Sequence, residues 1–398
     1  MTVRRLPVRP DLGRLAAEAV ELHRSLERDQ GPATLEDARS QLAAEYQAPS
    51  WLRLVEACEL VDAIWRDDLG AVQSLVSLNP TLLREETLIR KDSNWGPPMS
   101  YAANLGRDRI IRMLHERGAT DHRKALERAI LQGKIETARM LHDLMGRTPI
   151  PSDALSGAAY TLSATGTALV FELGGTLGER AGRPYAPADV VLQTDSRHPE
   201  RKHAILAMYV AQGLELPDTP TMALHRGRID LLEAHLGRDP RLLLRTFSYA
   251  EIFPPELGCD APKDAWHGTP LGGATLLHLA IEYDEMEIAC WLLDRGMPVD
   301  ARAAVDADGF GGHTALFSTV VSGPNFWGNN GSALTDAPHT RLLLDRGADP
   351  TIRASLRKTF DTGADPETVE YRGVTARTWG ERYRDRMLVS EPAMRLLA

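Results

Sequence analysis

Cysteine is scarce in this 398-residue chain: there are three, Cys58, Cys259 and Cys290. An odd number at wide spacing, with no CxxC, gives a disulfide framework or a cysteine zinc site no support. Cys290 sits in an apolar helical run and reads as a buried thiol. Lysine is nearly as rare. The basic residues are almost all arginine, a bias that, with abundant alanine, reads as genome composition rather than as phosphate clamping. Long apolar runs are missing as well. None approaches the ~18 residues of a membrane-spanning helix, and no apolar stretch follows the basic opening "MTVRRLPVRPDLG", so no cleaved leader is expected. Positive charge is in deficit, with 46 Lys and Arg against 55 Asp and Glu and a net charge of −9. That balance argues against general affinity for nucleic acid or anionic lipid, both of which need clustered cations. These absences favour a reducing cytoplasm as the expected compartment, and the sequon at Asn330-Gly331-Ser332 reads as a chance match.

Catalytic signatures are absent too. No GxSxG, HExxH, GxxxxGK[ST] or EF-hand pattern occurs. "GGTLGERAGRP" at 174–184 is glycine-rich but lacks the Lys-Ser/Thr that holds phosphate and magnesium, so it reads as a loop. His198 and His203 flank a polar stretch with no third ligand nearby, and read as a solvated loop and helix start. Arg372, Arg377, Arg382, Arg384 and Arg386 alternate with Glu370, Glu381 and Asp385, the pattern of a solvated helical face. No catalytic residue, cofactor or metal ligand is therefore expected, and the protein is read as a non-enzyme.

What the chain does contain is 43% hydrophobic residues, enough for a large core, in a repeating grammar. The clearest unit is 273–303, "GATLLHLAIEYDEMEIACWLLDRGMPVDARA". Thr275 is placed to cap a short helix. Asp284 and Glu285 mark a tight turn. Ile288, Trp291 and Leu292 then recur at i, i+3 and i+4, and Gly296 stands where the second helix must stop with positive φ. Similar pairs occur at 97–121, 123–142 and 219–244. Another, at 313–320 and 338–353, is split by an insertion. Residues 54–78 look like an opening pair and 374–397 like a closing pair.

The strings "TLLHLA…EIACWLLDRG" and "LLLDRGADP" resemble the ankyrin repeat, whose pattern is TPLHxAA followed by a helix ending LLxxGAD. The resemblance covers about two thirds of the chain and is not legible at 150–217. It implies an all-α fold, a solenoid of degenerate helix-turn-helix repeats. It also implies that His278, in the TPLH position, hydrogen-bonds locally and bridges turns. Phe317 and Ser100 occupy that position in two other units, so the bridging bond is expected to be absent there. The arrangement as a whole, with "LPVRPDLGRLAAEA", "AEYQAPSWLRLV", "NFWGNN" and "VTARTWGERY…VSEPAMRLL", also resembles a group of bacterial ankyrin-repeat proteins. That likeness implies a fold and no activity.

Residues 1–50 do not fit the repeat. Leu12, Leu15, Ala16, Ala19, Leu22 and Leu26 share one helical face. Thr34 can cap a second helix with Leu35, Ala38 and Leu42 inward, and Pro49-Ser50 starts the next helix at Trp51. A helical cap is expected, since a terminal repeat otherwise leaves its apolar face in water. The organisation is then a cap at 1–50, repeats at 51–149, degenerate repeats with an insertion at 150–272, and repeats with an aromatic insertion and a closing cap at 273–398.

The insertions carry the functional expectation. Residues 322–337 contain Asn325, Phe326 and Trp327. Residues 246–272 contain Phe247, Tyr249, Phe253, Trp266 and His267. Loops beyond about 12–15 residues in compact domains carry function or stay unstructured, and aromatic content argues against the second. Two readings stand side by side: the aromatics plug the groove as local packing, or they form a contact surface, since such side chains dominate binding hot spots. Trp327, Phe326, Asn325, Trp266, His267 and Phe310 are the candidate partner-binding residues. The expected function is a protein-interaction module or scaffold with a protein partner, no nucleic acid and no membrane. The alternative is an enzyme or small-ligand protein with a pocket in 150–272.

Overall fold

The computed structural model describes residues 3–90, 93–259, 268–325, 334–360 and 367–398. Phe326, Trp327, Trp266 and His267 lie outside them. The chain divides into two compact units, Met1–Ala158 with Thr165–Thr176, and Ala159–Ala164 with Leu177–Ala398.

The first unit opens with α1 (Leu12–Gln30) and α2 (Leu35–Glu45). Asp11 caps α1 by accepting from the Arg14 N–H. Thr34 and Asp37 cap α2 reciprocally, satisfying two N–H groups that the first turn leaves unpaired. Leu15, Ala19, Leu26, Ala38 and Leu42 are buried, whereas Leu12 and Ala16 stay exposed. Helix α1 packs mainly on α2 and α3 (Trp51–Trp65), and its flank with Leu12 and Ala16 is left uncovered. Ser50 starts α3 by accepting from the Arg53 N–H. The hairpin packs on α3, the first helix of the pairs that follow. Tyr101 ties it down further, its hydroxyl donating to the Val8 carbonyl at 2.5 Å.

Helix pairs follow: α3 with α4 (Leu69–Leu78), α5 (Pro98–Leu105) with α6 (Asp108–Glu116), and α7 (His122–Leu131) with α8 (Ile135–Leu144). Next come α9 (Ala154–Tyr160) and α10 (Ala164–Glu172). The first helices α3, α5 and α7 lie side by side, and α4 lies against α6. A short helix buries one face only and is marginal alone, so each pair depends on its neighbour for the other wall.

The second unit begins with a two-stranded hairpin, β1 (Gly178–Arg180) and β2 (Arg183–Tyr185). Then come α11 (Ala188–Gln193), α12 (Pro199–Ala211), α13 (Pro220–His225), α14 (Ile229–Arg238) and α15 (Tyr249–Ile252). Next are α16 (Leu276–Glu282), α17 (Met286–Asp294), α18 (Ala315–Val320) and α19 (Pro338–Asp345). A second hairpin, β3 (Ala354–Phe360) and β4 (Glu367–Val374), precedes α20 (Ala376–Arg382) and α21 (Glu391–Leu396). Helices α13, α16 and α18 again stack as first helices, and α20 and α21 close on α18. The fold is thus predominantly helical, as expected, with two short hairpins that the repeat grammar does not announce. The Arg-rich segment at 372–386 runs through β4, α20 and a 3-10 turn rather than along one helix, and four of its arginines, Arg372, Arg377, Arg384 and Arg386, pair with Glu370, Glu381, Glu367 and Glu391.

The repeat grammar holds in detail around α16. Thr275 caps the helix, and Leu277, Leu279, Ile288 and Leu292 are buried. Gly296 has φ +89. The His278 Nδ1 lies 2.8 Å from the Thr275 hydroxyl, and its Nε2 lies 3.0 Å from the His313 carbonyl, the expected bridge between turns. In the following unit Phe317 replaces the imidazole, and the buried Thr314 hydroxyl has no hydrogen-bond partner among the described residues. The unit at 97 corrects the expectation of a missing bridge. Both the Ser100 hydroxyl and its N–H donate to the Asp121 carboxylate, at 2.5 and 2.9 Å, so a different chemistry links that turn to the next.

Candidate functional site

The nominated residues that are described make structural contacts. Asn325 donates through Nδ2 to the Thr319, Val320 and Leu388 carbonyls at 3.2–3.4 Å, tying the end of α18 to the segment before α21. Phe310 is 5% exposed, covered by the guanidinium groups of Arg357 and Arg372 at 4.6 and 4.3 Å from its ring centre. In the 246–272 insertion, Phe247 and Phe253 are buried. Phe253 packs on Tyr249 and His225 with ring centres 4.7 and 5.7 Å apart.

The irregular region contributes something its sequence does not display, an ionic cluster in the interior of the second unit. The Arg197 guanidinium lies 3.0 Å from the Glu282 carboxylate, with side chains 1% and 0% exposed. Glu282 also accepts from the Gly268 N–H, the Ser322 hydroxyl and the Gly323 N–H at 3.2, 3.3 and 3.4 Å. Lys202 stands 4.0 Å over the Tyr283 ring and 3.7 Å from Glu285. His203 reaches Glu285 at 2.7 Å, so it is no solvated helix-start residue. Gly227 permits this approach: a Cβ there would lie 2.1 Å from the His203 ring, and φ is +64. Burial outweighs Glu285 and brings the Lys202 ammonium down to about 8. Burial and the Lys202 charge hold His225 well below its ordinary value. Its Nε2 lies 3.1 Å from the Ile252 carbonyl and so carries the proton, leaving Nδ1 to face Lys202. Acid and base groups converge here in a filled interior. Side-chain exposures of 1, 0, 3 and 5% put Arg197, Glu282, Lys202 and Glu285 out of contact with solvent, whereas the His203 ring is 26% exposed.

Two cavities of the second unit do meet solvent. A pocket of about 160 Å³ is lined by residues including Asp284, His339, Asn325, Ser318, Ser322 and Thr340. Asp284 has φ +60 in a turn where Gly106, Gly133 and Gly227 stand in other pairs. Burial, reinforced by Glu285, lifts its carboxyl to about 6, and burial holds His339 at about 4. At neutral pH the pair, 3.5 Å apart, is a carboxylate beside an uncharged imidazole. A wider cleft of about 990 Å³ lies between the β1–β2 hairpin and residues 213–217 and 255–257, with Arg180, Arg183, Tyr185, Glu215 and Glu256 on its walls.

The first unit has a cleft of about 300 Å³ across its first helices, bounded by Ser93 and Asn94 ahead of α5, by Lys124, Glu127, Arg128 and Leu131 of α7, and by Asp153, Ala154 and Gly157 at α9. Three of its four charged neighbours are matched. Lys124 pairs with Glu86 at 2.9 Å, and Glu127 and Asp153 both pair with Arg123, at 3.0 and 2.7 Å. Arg128 is 8% exposed. Its Nε donates to the Asn104 side chain at 2.7 Å, and its guanidinium carbon lies 6.0 Å from the Trp95 ring centre. No carboxylate among the described residues pairs with it. Sequence gave no sign of this, since Arg128 is one arginine among many.

Residues 272–301 match the ankyrin repeat family model. No curated protein matches the chain in a sequence search. Among solved structures, the human ASB11 ankyrin repeat domain is similar at 15% identity, covering 76% of this chain and 97% of that one with a TM-score of 0.28. The helix pairing described above stands without that likeness. An ankyrin repeat is therefore present at 272–301, within a helical chain built from pairs of the same grammar.

Proposed function

We propose that the protein is a non-catalytic cytoplasmic interaction module, a scaffold that holds an extended segment of a partner protein across the first helices of its first unit. The aromatic insertions, Phe326 and Trp327 in one and Trp266 and His267 in the other, are proposed as further contacts, flanked by Asn325 and Phe310. One observation carries this reading: a cleft that crosses consecutive first-helix positions and keeps on its floor an arginine with no counter-ion among the described residues. Support also comes from the ankyrin repeat, since such repeats generally mediate protein–protein contacts, and from the closed interior around Glu282. No helix among the described residues is long and apolar enough to cross a membrane. Affinity capture from the native host with wild type, Gly157→Phe and Trp327→Ala tests it. Gly157 borders the cleft with ordinary room for a Cβ, 3.5 Å from Leu131, so the phenyl group fills the cleft. Captured partners are expected to be lost with Gly157→Phe and weakened with Trp327→Ala. Retention of every partner by both variants would overturn the reading.

A second reading, a small-ligand site within 150–272, is favoured by the cleft of about 990 Å³ at the β1–β2 hairpin. A thermal-shift screen of organic acids against wild type and Arg183→Ala tests it. A ligand that stabilises only the wild type supports it, and the absence of any such ligand removes it.

A further inference from the structure

Arg128 deepens the interaction reading and rests on it. A guanidinium carries a full charge, and taking that charge out of water is unfavourable unless a counter-charge accompanies it. The buried arginine Arg53 has one, Glu85 at 2.8 Å, and so does Arg197 in Glu282. Arg128 has instead one neutral acceptor, the Asn104 amide oxygen, at its Nε. Its two terminal amino groups make no hydrogen bond with described residues, and the side chain borders the cleft. Burial pushes its guanidinium below the ordinary arginine value.

The surroundings select among ligands. The carboxylates nearest the cleft, Glu127 and Asp153, are held away by Arg123. The Asn104 amide is oriented by its own bond to the Ser100 carbonyl at 2.9 Å, which fixes the arginine plane from below. A planar fork with two open donors matches a carboxylate. The volume of about 300 Å³ exceeds what one carboxylate fills, and Leu131, Ala154 and Gly157 form an uncharged flank. We propose that the cleft receives an aspartate or glutamate side chain of an extended partner peptide, whose carboxylate pairs with the two terminal amino groups of Arg128 while the peptide main chain passes along α7 and α9.

The test uses the full chain and fluorescein-labelled hexaglutamate and hexaglutamine, read by anisotropy at low and moderate salt. Hexaglutamate is expected to bind at least ten-fold more tightly than hexaglutamine and to weaken with salt. Arg128→Met should lose at least ten-fold in hexaglutamate affinity, whereas Arg112→Met, at an exposed position on α6, should lose less than two-fold. Inorganic phosphate should fail to compete at concentrations where free glutamate peptide does. Arg128→Lys covers the case in which the Met variant does not fold; it keeps a charge but not the fork and should lose at least three-fold. Equal binding of the two peptides, unchanged binding in Arg128→Met or Arg128→Lys, or competition by phosphate as effective as by peptide would each overturn the proposal. The interaction reading fails separately, if no host protein engages the cleft whatever its charge.

Discussion

Acid should unlatch the repeat at 273–303 through a single imidazole. The His278 Nε2 faces a carbonyl and must carry the proton, while Nδ1 faces the Thr275 N–H at 3.3 Å and must accept. A second proton would set N–H against N–H in a site with no exposure. Burial accordingly lowers the group from its ordinary 6.5 to about 4. The folded-state value is depressed, so the contribution is complete above pH 6.5, where neither state binds the proton. It is lost as pH falls toward 4, because the unfolded chain protonates first. A gap of that size is worth about 3 kcal/mol in full, of which about 2 kcal/mol is gone by pH 5. His225 and His313 are depressed too and add to the slope, so His278 must be isolated by difference. Urea unfolding followed by helical circular dichroism, run on wild type and His278→Gln between pH 7.5 and 4.5, does this. The stability advantage of wild type should shrink by about 2 kcal/mol from pH 7.5 to 5. An advantage that stays constant across that range would refute the assignment of a neutral, bridging imidazole.

Three further outcomes follow from the packing and the charges. Leu292→Ala, at a fully buried position of α17, should lower stability by about 2–5 kcal/mol in chemical denaturation. Glu282→Gln leaves Arg197 buried without its counter-charge and should cost about 3–5 kcal/mol. Adding Arg197→Met to it should recover part of that loss, seen as a rise in melting temperature over the single variant. Asp284→Asn should stabilise the protein at pH 7.5 by about 1 kcal/mol after allowance for solvent screening. That gain should vanish below pH 4, because the penalty begins only as the unfolded carboxyl ionises near its ordinary 3.8 and is complete above the folded value of about 6, and melting curves at the two pH values check it.

The sequence reveals most where one local rule acts alone. Caps at Thr34, Ser50 and Thr275 were legible because each depends on residues within a few positions, whereas the bridge from His278 to the His313 carbonyl, 35 positions on, was legible only through the resemblance to the ankyrin repeat. The β3–β4 hairpin was not. Its inward positions are Ala354, Leu356 and Lys358, and a lysine in the third inward place breaks the apolar alternation by which a strand is read. The ionic cluster was hidden by distance, since Arg197 and Glu282 are 85 positions apart. Arg128 was hidden by abundance, and only its missing partner, a property of three dimensions, sets it apart from the other arginines. Asp67 and Leu162 also escaped notice, both with positive φ in turns where glycine would have marked the place.

Photo-crosslinking in the native host tests the account most directly, with benzoylphenylalanine placed at Glu127 inside the first-unit cleft or at Arg112 on the second-helix side. A discrete protein adduct from position 127 and none from position 112 is the predicted result. An adduct from position 112 alone, or from neither, would contradict the claim that the first helices hold a partner.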